Sequence, residues 1–138
     1  MKVIPVLFVA VMLCSQEVNA QKVDDSKIII TVDSTENLYI RLKDIFIRRN
    51  FFVKDLSIRD SLITYPTEFK GVFVIGFAAI DGNKVTLSGL FGLKRLDEFG
   101  YTNSPKGFSS ILYFKGNREW RILNEIATSL GGVITYEK

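Results

Sequence analysis

The chain has 138 residues, of which 47% are hydrophobic and 24% charged, with 18 basic against 15 acidic side chains and a net charge of +3. It contains no histidine and one cysteine, Cys14. These counts exclude Cys/His zinc sites, a Cys–His nucleophile, His-based proton transfer and a disulfide framework. A charge so nearly balanced, and interspersed along the chain, does not point to nucleic acid.

The chain opens with Met1-Lys2, and residues 3–13 are then almost unbroken apolar sequence. That run of about 11 residues is shorter than the roughly 20 needed to span a bilayer as a helix. Val18-Asn19-Ala20 offers small side chains at the positions a signal peptidase reads. The pattern predicts a secretory signal peptide over residues 1–20, cleaved before Gln21. The expected destination is the periplasm, the cell surface or the medium. Cys14 opens an alternative, because a lipidated cysteine would tether the protein to a membrane. Leu13 is the wrong residue before a lipidated cysteine, and the Ala20 site fits better. Cleavage there removes Lys2, Glu17 and Cys14, so the net charge stays at +3 and no cysteine remains.

Residues 21–26 are polar and read as a flexible tether. Residues 27–32 are β-branched and read as a strand. Asp33-Ser34-Thr35-Glu36 has the form of a helix start, with Asp33 or Ser34 as N-cap and Glu36 as the returning carboxylate. The helix is expected to run to about residue 49, with Leu38, Leu42, Ile45 and Phe46 on its apolar face. Arg48 and Arg49 complement the negative end of its dipole, and Asn50 suits a left-handed stop.

Residues 51–56 and 62–65 read as short strands joined by a polar turn, the second ending at Pro66. Residues 71–80 and 84–93 flank Asp81-Gly82-Asn83 and form the clearest element, a tight β-hairpin. Alternation puts Val72, Val74, Gly76, Ala78 and Ile80 on one face with Val85, Leu87 and Phe91. Phe73, Ile75, Phe77 and Ala79 take the other face with Lys84, Thr86, Ser88 and Leu90. Residues 94–107 read as a long connection bearing Phe99 and Tyr101. Residues 108–114 are a short strand or the entry to a helix. Gly116-Asn117 leads into that helix, residues 118–130, where Trp120, Leu123, Ile126, Ala127 and Leu130 share one face. Gly131 stops it, and residues 133–136 form a final strand. The order is strand, helix, four strands, helix, strand. It predicts a single α+β domain over residues 27–138, a two-layer sandwich with both helices on one face of a mainly antiparallel sheet.

No nucleophile elbow, phosphate loop or dinucleotide fingerprint is present. Asp24-Asp25 and Asp97-Glu98 are adjacent carboxylates, which diverge on extended backbone and do not converge on a metal. No catalytic residue, metal site or cofactor is assigned. Two features remain as contact candidates. One is the second face of the hairpin, Phe73, Ile75, Phe77 and Leu90, which the helices cannot cover if they pack on the more fully apolar face; it either docks a partner or is folded over by residues 94–107 or the N-terminal tether. The other is the loop pair Phe99 and Tyr101, which either meets a partner or folds back over the core.

One resemblance covers nearly the whole chain after residue 20. Residues 62–66, residues 85–89, Trp120, Ile126-Ala127 and Leu130-Gly131-Gly132 resemble the pattern of small exported domains of unknown function in Bacteroidetes. The element order is also similar to the helix-grip domains of the outer-membrane assembly lipoprotein BamC. The shared positions are core, cap and turn residues, so the resemblance implies a fold and an exported setting without an active site. The expected function is a non-enzymatic interaction or assembly module that meets a protein partner or a second copy. The alternative is a carrier of a small apolar ligand held between helices and sheet, with Gly76 and Gly89 leaving the room.

Overall fold

Two ten-residue strands organise the protein, because their alternating apolar residues give the sheet one face that must be buried. The computed structural model describes residues 20–54, 56, 58–93, 96–97, 100–101 and 107–138. In chain order the elements are β1 (Lys27–Thr31), α1 (Leu38–Arg48), β2 (Ser61–Ile63), β3 (Thr67–Phe69), β4 (Val72–Asp81), β5 (Lys84–Leu93), β6 (Leu96–Asp97), β7 (Gly100–Tyr101), β8 (Ser109–Ser110), α2 (Arg118–Leu130) and β9 (Val133–Glu137).

β4 and β5 pair from Val72↔Leu93 to Asp81↔Lys84. Their two-residue turn puts Gly82 at φ 60°, the conformation a type II′ hairpin asks of its first central residue. The main sheet runs β2-β4-β5-β1-β9, with β3 also on β4 and β8 also on β5, and each of these pairings is antiparallel. β6 and β7 make a separate two-stranded ladder. β9 lies along the full length of β1, from Lys27↔Glu137 to Thr31↔Val133.

Both helices cover the same face of this sheet, so the fold is the two-layer α+β sandwich that the pattern predicts. Val72, Val74, Ala78, Val85 and Leu87 are buried beneath them, together with Ile28 and Ile30 of β1. α1 contributes Leu38, Leu42 and Phe46, and α2 contributes Trp120, Leu123, Ile126, Ala127 and Leu130. Trp120 is 3% exposed and packs between the rings of Tyr113 and Tyr136. Arg49 at the end of α1 pairs with Glu125 of α2 at 2.6 Å. Each side chain there keeps at least 40% of its surface in solvent, so the pair adds little beside the packing.

α2 matches its expected span, and Asn117 just before it is the cap: its Oδ1 accepts from the backbone N–H groups of Glu119 and Trp120. α1 differs. It begins at Leu38, after Asn37 in the left-handed region, and no side chain caps it. Ser34 Oγ instead accepts from the N–H of Glu36 in a local turn. The chain leaves β1 with the Val32 N–H held by the Asn83 carbonyl, and it must climb from the sheet layer to the helix layer before it can coil. The Asp33-Ser34-Thr35-Glu36 run is spent on that climb.

The strand count also differs. Among the described residues of 51–56 the one bridge is Val53↔Thr64. β2 ends at Ile63 because Thr64 then uses its own hydroxyl, which accepts from the Gly76 N–H at 2.8 Å. β3 is an unforeseen strand, joined to β4 by Lys70 and Gly71, both at positive φ. Residues 21–26 are not a loose tether. The Asp25 side chain is 3% exposed and accepts from the Lys22 N–H, while the Asp25 carbonyl accepts from the Tyr113 N–H and the Ser26 N–H reaches the Glu137 carbonyl.

Candidate functional site

The face of the sheet away from the helices carries the predicted contact residues. Residues directly opposite in an antiparallel pair project to the same side, so the register defines this surface. Phe73, Ile75 and Phe77 run along β4, Leu90 stands opposite Ile75 on β5, and Ile63 of β2 stands opposite Phe77. Phe73, Ile75, Phe77, Leu90 and Ile63 are all half-buried, and Ala79 at the end of the row is exposed. The four residues assigned from sequence therefore form one continuous apolar row, and none of them belongs to the helix-covered core.

The structure adds Phe108 to the row. Gly92 lies opposite Phe73, and a Cβ on it would come within 3.1 Å of the Phe108 ring. The ring thus lies flat on the outer surface of β5, where the missing side chain leaves a seat for it. Sequence reading offered no sign of this, because the pair depends on β8 returning to β5. Thr86 and Ser88 are the hydroxyl-bearing positions of β5 on this face. Lys27 beside Glu137 and Asp81 beside Lys84 are opposite-sign cross-strand neighbours at its margins, and Glu68 of β3 stands opposite Phe73 on the same face. Of the loop candidates, Phe99 lies outside the described residues, and Tyr101 is described only as the backbone partner of Leu96 in the β6–β7 ladder.

The helix-covered face corrects one expectation. Gly76 and Gly89 pair with each other, but they leave no room for a ligand. A Cβ on Gly76 would come within 2.6 Å of Phe46 Cε1, and one on Gly89 within 2.7 Å of Ile111 Cδ1 and 3.3 Å of Leu123 Cδ1. The glycines let α1 and the segment before α2 sit down on the sheet, and the side chains above fill the space they create.

Among the described residues no three acidic or sulfur side chains gather as a metal site, and no helix is long and apolar enough to cross a membrane. No protein-family model, no curated protein and no solved structure matches the chain. The chemistry of the outer face is therefore read from its own side chains: apolar contact, rimmed by charges of both signs.

Proposed function

We propose that the protein is an exported, non-enzymatic assembly module that pairs with a second copy of itself through the outer face of its sheet. The observation that carries this reading is the apolar row Phe73-Ile75-Phe77, widened by Ile63, Leu90 and Phe108, on a sheet face that neither helix covers. Contiguous apolar patches on a surface usually mark a contact site. Five strands about 4.8 Å apart, and about seven residues of strand at about 3.4 Å each, give a face of roughly 550 Å². That is of the order of the roughly 800 Å² each partner buries in a standard interface. Twisted antiparallel sheets pack face to face by interdigitating such rows. The rim pairs Lys27–Glu137 and Asp81–Lys84 join opposite charges, which limits repulsion between two copies. The signal-peptide pattern of residues 1–20 and the resemblance to exported domains support the exported setting.

The test is sedimentation equilibrium of the purified protein between about 1 and 100 µM, concentrations at which interfaces of this size associate. Wild-type protein is expected to dimerise. Phe73→Thr with Phe77→Thr is expected to yield a monomer with an unchanged near-ultraviolet spectrum. Ala79→Arg, at an already exposed position, is the second arm and should break the dimer without touching the core. A wild-type protein that stays monomeric throughout would falsify self-pairing. Binding of a different protein by that monomer, lost in the same variants, would reassign the face to a heterologous partner.

A further inference from the structure

We propose that the groove between the end of α1 and residues 51–54 binds a small amphiphile, an apolar chain ending in a carboxylate, with Lys43 receiving the carboxylate. This site is separate from the outer sheet face and does not depend on the assembly reading.

The groove encloses about 550 Å³, within the range of roughly 300–1,000 Å³ typical of small-molecule sites. Its back wall is Phe51, only 2% exposed, and Val53. Its rims are Ile47, Phe52 and Tyr65, which are 50%, 72% and 52% exposed. Single exposed apolar residues are ordinary, but three around one concavity are not.

The backbone holds this arrangement in place before any ligand arrives. Asn50 takes a left-handed φ of 68° and ends the helix, which turns Phe51 into the core and leaves Phe52 outside. The Tyr65 N–H donates to the Phe52 carbonyl, and the Lys54 N–H to the Ile63 carbonyl, each at 2.8 Å. Residues 52–54 are thereby clamped beside residues 63–65. The ring of Phe51 is fixed in turn between those of Phe46 and Phe69.

Lys43 supplies the selectivity. It lines the groove four residues before Ile47 on α1, about 6 Å further along the helix axis. It is half-buried and has no ion-pair partner among the described residues. The neighbouring acid on α1, Asp44, is already engaged by Arg48 at 2.7 Å. An apolar trough with an unpaired cation at one end fits a molecule of matching polarity. One ammonium suits a monoanion, whereas a phosphate dianion calls for several convergent donors. The negative end of the α1 dipole does not oppose this. The Ile45 carbonyl already accepts from the Arg49 N–H, that of Phe46 from the Arg49 and Phe51 N–H groups, and that of Ile47 from the Asn50 N–H, and the effect fades beyond the last turn.

The experiment is a titration of the isotope-labelled protein by amide NMR, using decanoate below its micelle concentration, decanol and decyltrimethylammonium as probes. Saturable shifts are expected at Ile47, Asn50, Phe52 and Val53, strongest with decanoate and weakest with the cation. Lys43→Gln is expected to weaken decanoate about five-fold, the upper range for a partly exposed charge pair, and to leave decanol unchanged. Phe52→Ser should weaken both decanoate and decanol with no change in thermal midpoint, since its side chain is largely in solvent. Tyr65→Ser should weaken both as well, with a small fall in midpoint because the half-exposed ring also meets the Lys54 ammonium at 5.2 Å. The proposal is overturned if decanoate and the cation bind alike, if Lys43→Gln changes nothing, or if the shifts fall on Phe73 and Phe77 of the sheet face. It is equally overturned if the protein binds phosphatidylglycerol vesicles but shows no saturable decanoate site, which would make the cluster a membrane contact.

Discussion

Gly76→Ala places one methyl group where Phe46 already sits. The new Cβ would stand 2.6 Å from Phe46 Cε1, well inside the 3.4 Å at which ordinary contact begins. Phe46 is fully buried, and its ring meets Phe51 edge-on at 5.4 Å, so it cannot simply tilt away. Overpacking of this kind costs about 1–3 kcal/mol. Alanine returns about 0.5–1 kcal/mol in a strand because it has less freedom to lose than glycine. The net expectation is a loss of about 1–2 kcal/mol, or a fall in Tm of about 4–10 °C for a domain of this size. Urea and thermal unfolding, followed by the fluorescence of the single tryptophan, would measure it. A double-mutant cycle sharpens the test: in a Phe46→Leu background, Gly76→Ala should cost at least about 1 kcal/mol less, because contacting residues couple. If Gly76→Ala is neutral, and stays neutral in that background, the ring is not seated on the glycine. The space between helix and sheet would then be open after all.

Trp120→Ala should cost about 3–5 kcal/mol, as for other large buried aromatics. Trp120→Phe should cost far less than that, because the buried indole N–H has no partner among the described residues to lose; chemical denaturation of the two variants compares them directly. Asn117→Ala should destabilise by about 1–2 kcal/mol, removing the cap of α2 along with the bond from its amide to the Leu112 carbonyl. Ser34→Ala, at the false cap of α1, should shift stability by less than about 0.5 kcal/mol, and equal losses from the two would contradict the observed helix starts.

The parts of the fold that were legible in the sequence are those whose signals are local and long. Ten alternating residues on each side of Asp81-Gly82-Asn83 leave one register for β4 and β5. The α2 stripe runs between an Asn cap and a Gly stop. The outer face was legible for the same reason: Phe73, Ile75 and Phe77 alternate with residues that must be core. What stayed hidden depends on contacts between distant segments. The three residues of β3 are too few to show a period, and only β4 beside them makes them a strand. Asp25 looks like a solvated loop acid until Tyr113 and Glu137 bond the backbone around it. Phe108 joins the face only because Gly92, on another strand, has no side chain. The start of α1 was misplaced because a capping pattern reports local preference, while the distance between layers decides where the helix can begin.

The pairing of β1 with β9 has a consequence for how the chain must be made and kept. Ile28, Ile29 and Ile30 form a short, β-branched, nearly uncharged run of the kind that stacks with copies of itself when its backbone is left unpaired. β5 satisfies one side of that run. The other side finds its partner only in residues 133–137, from the opposite end of the chain. Until those residues arrive, every nascent or clipped molecule carries a sticky edge. Glu137 and Thr135 then become the outermost strand, and the five residues of β9 serve as a guard rail against fibre growth as much as a piece of the sheet.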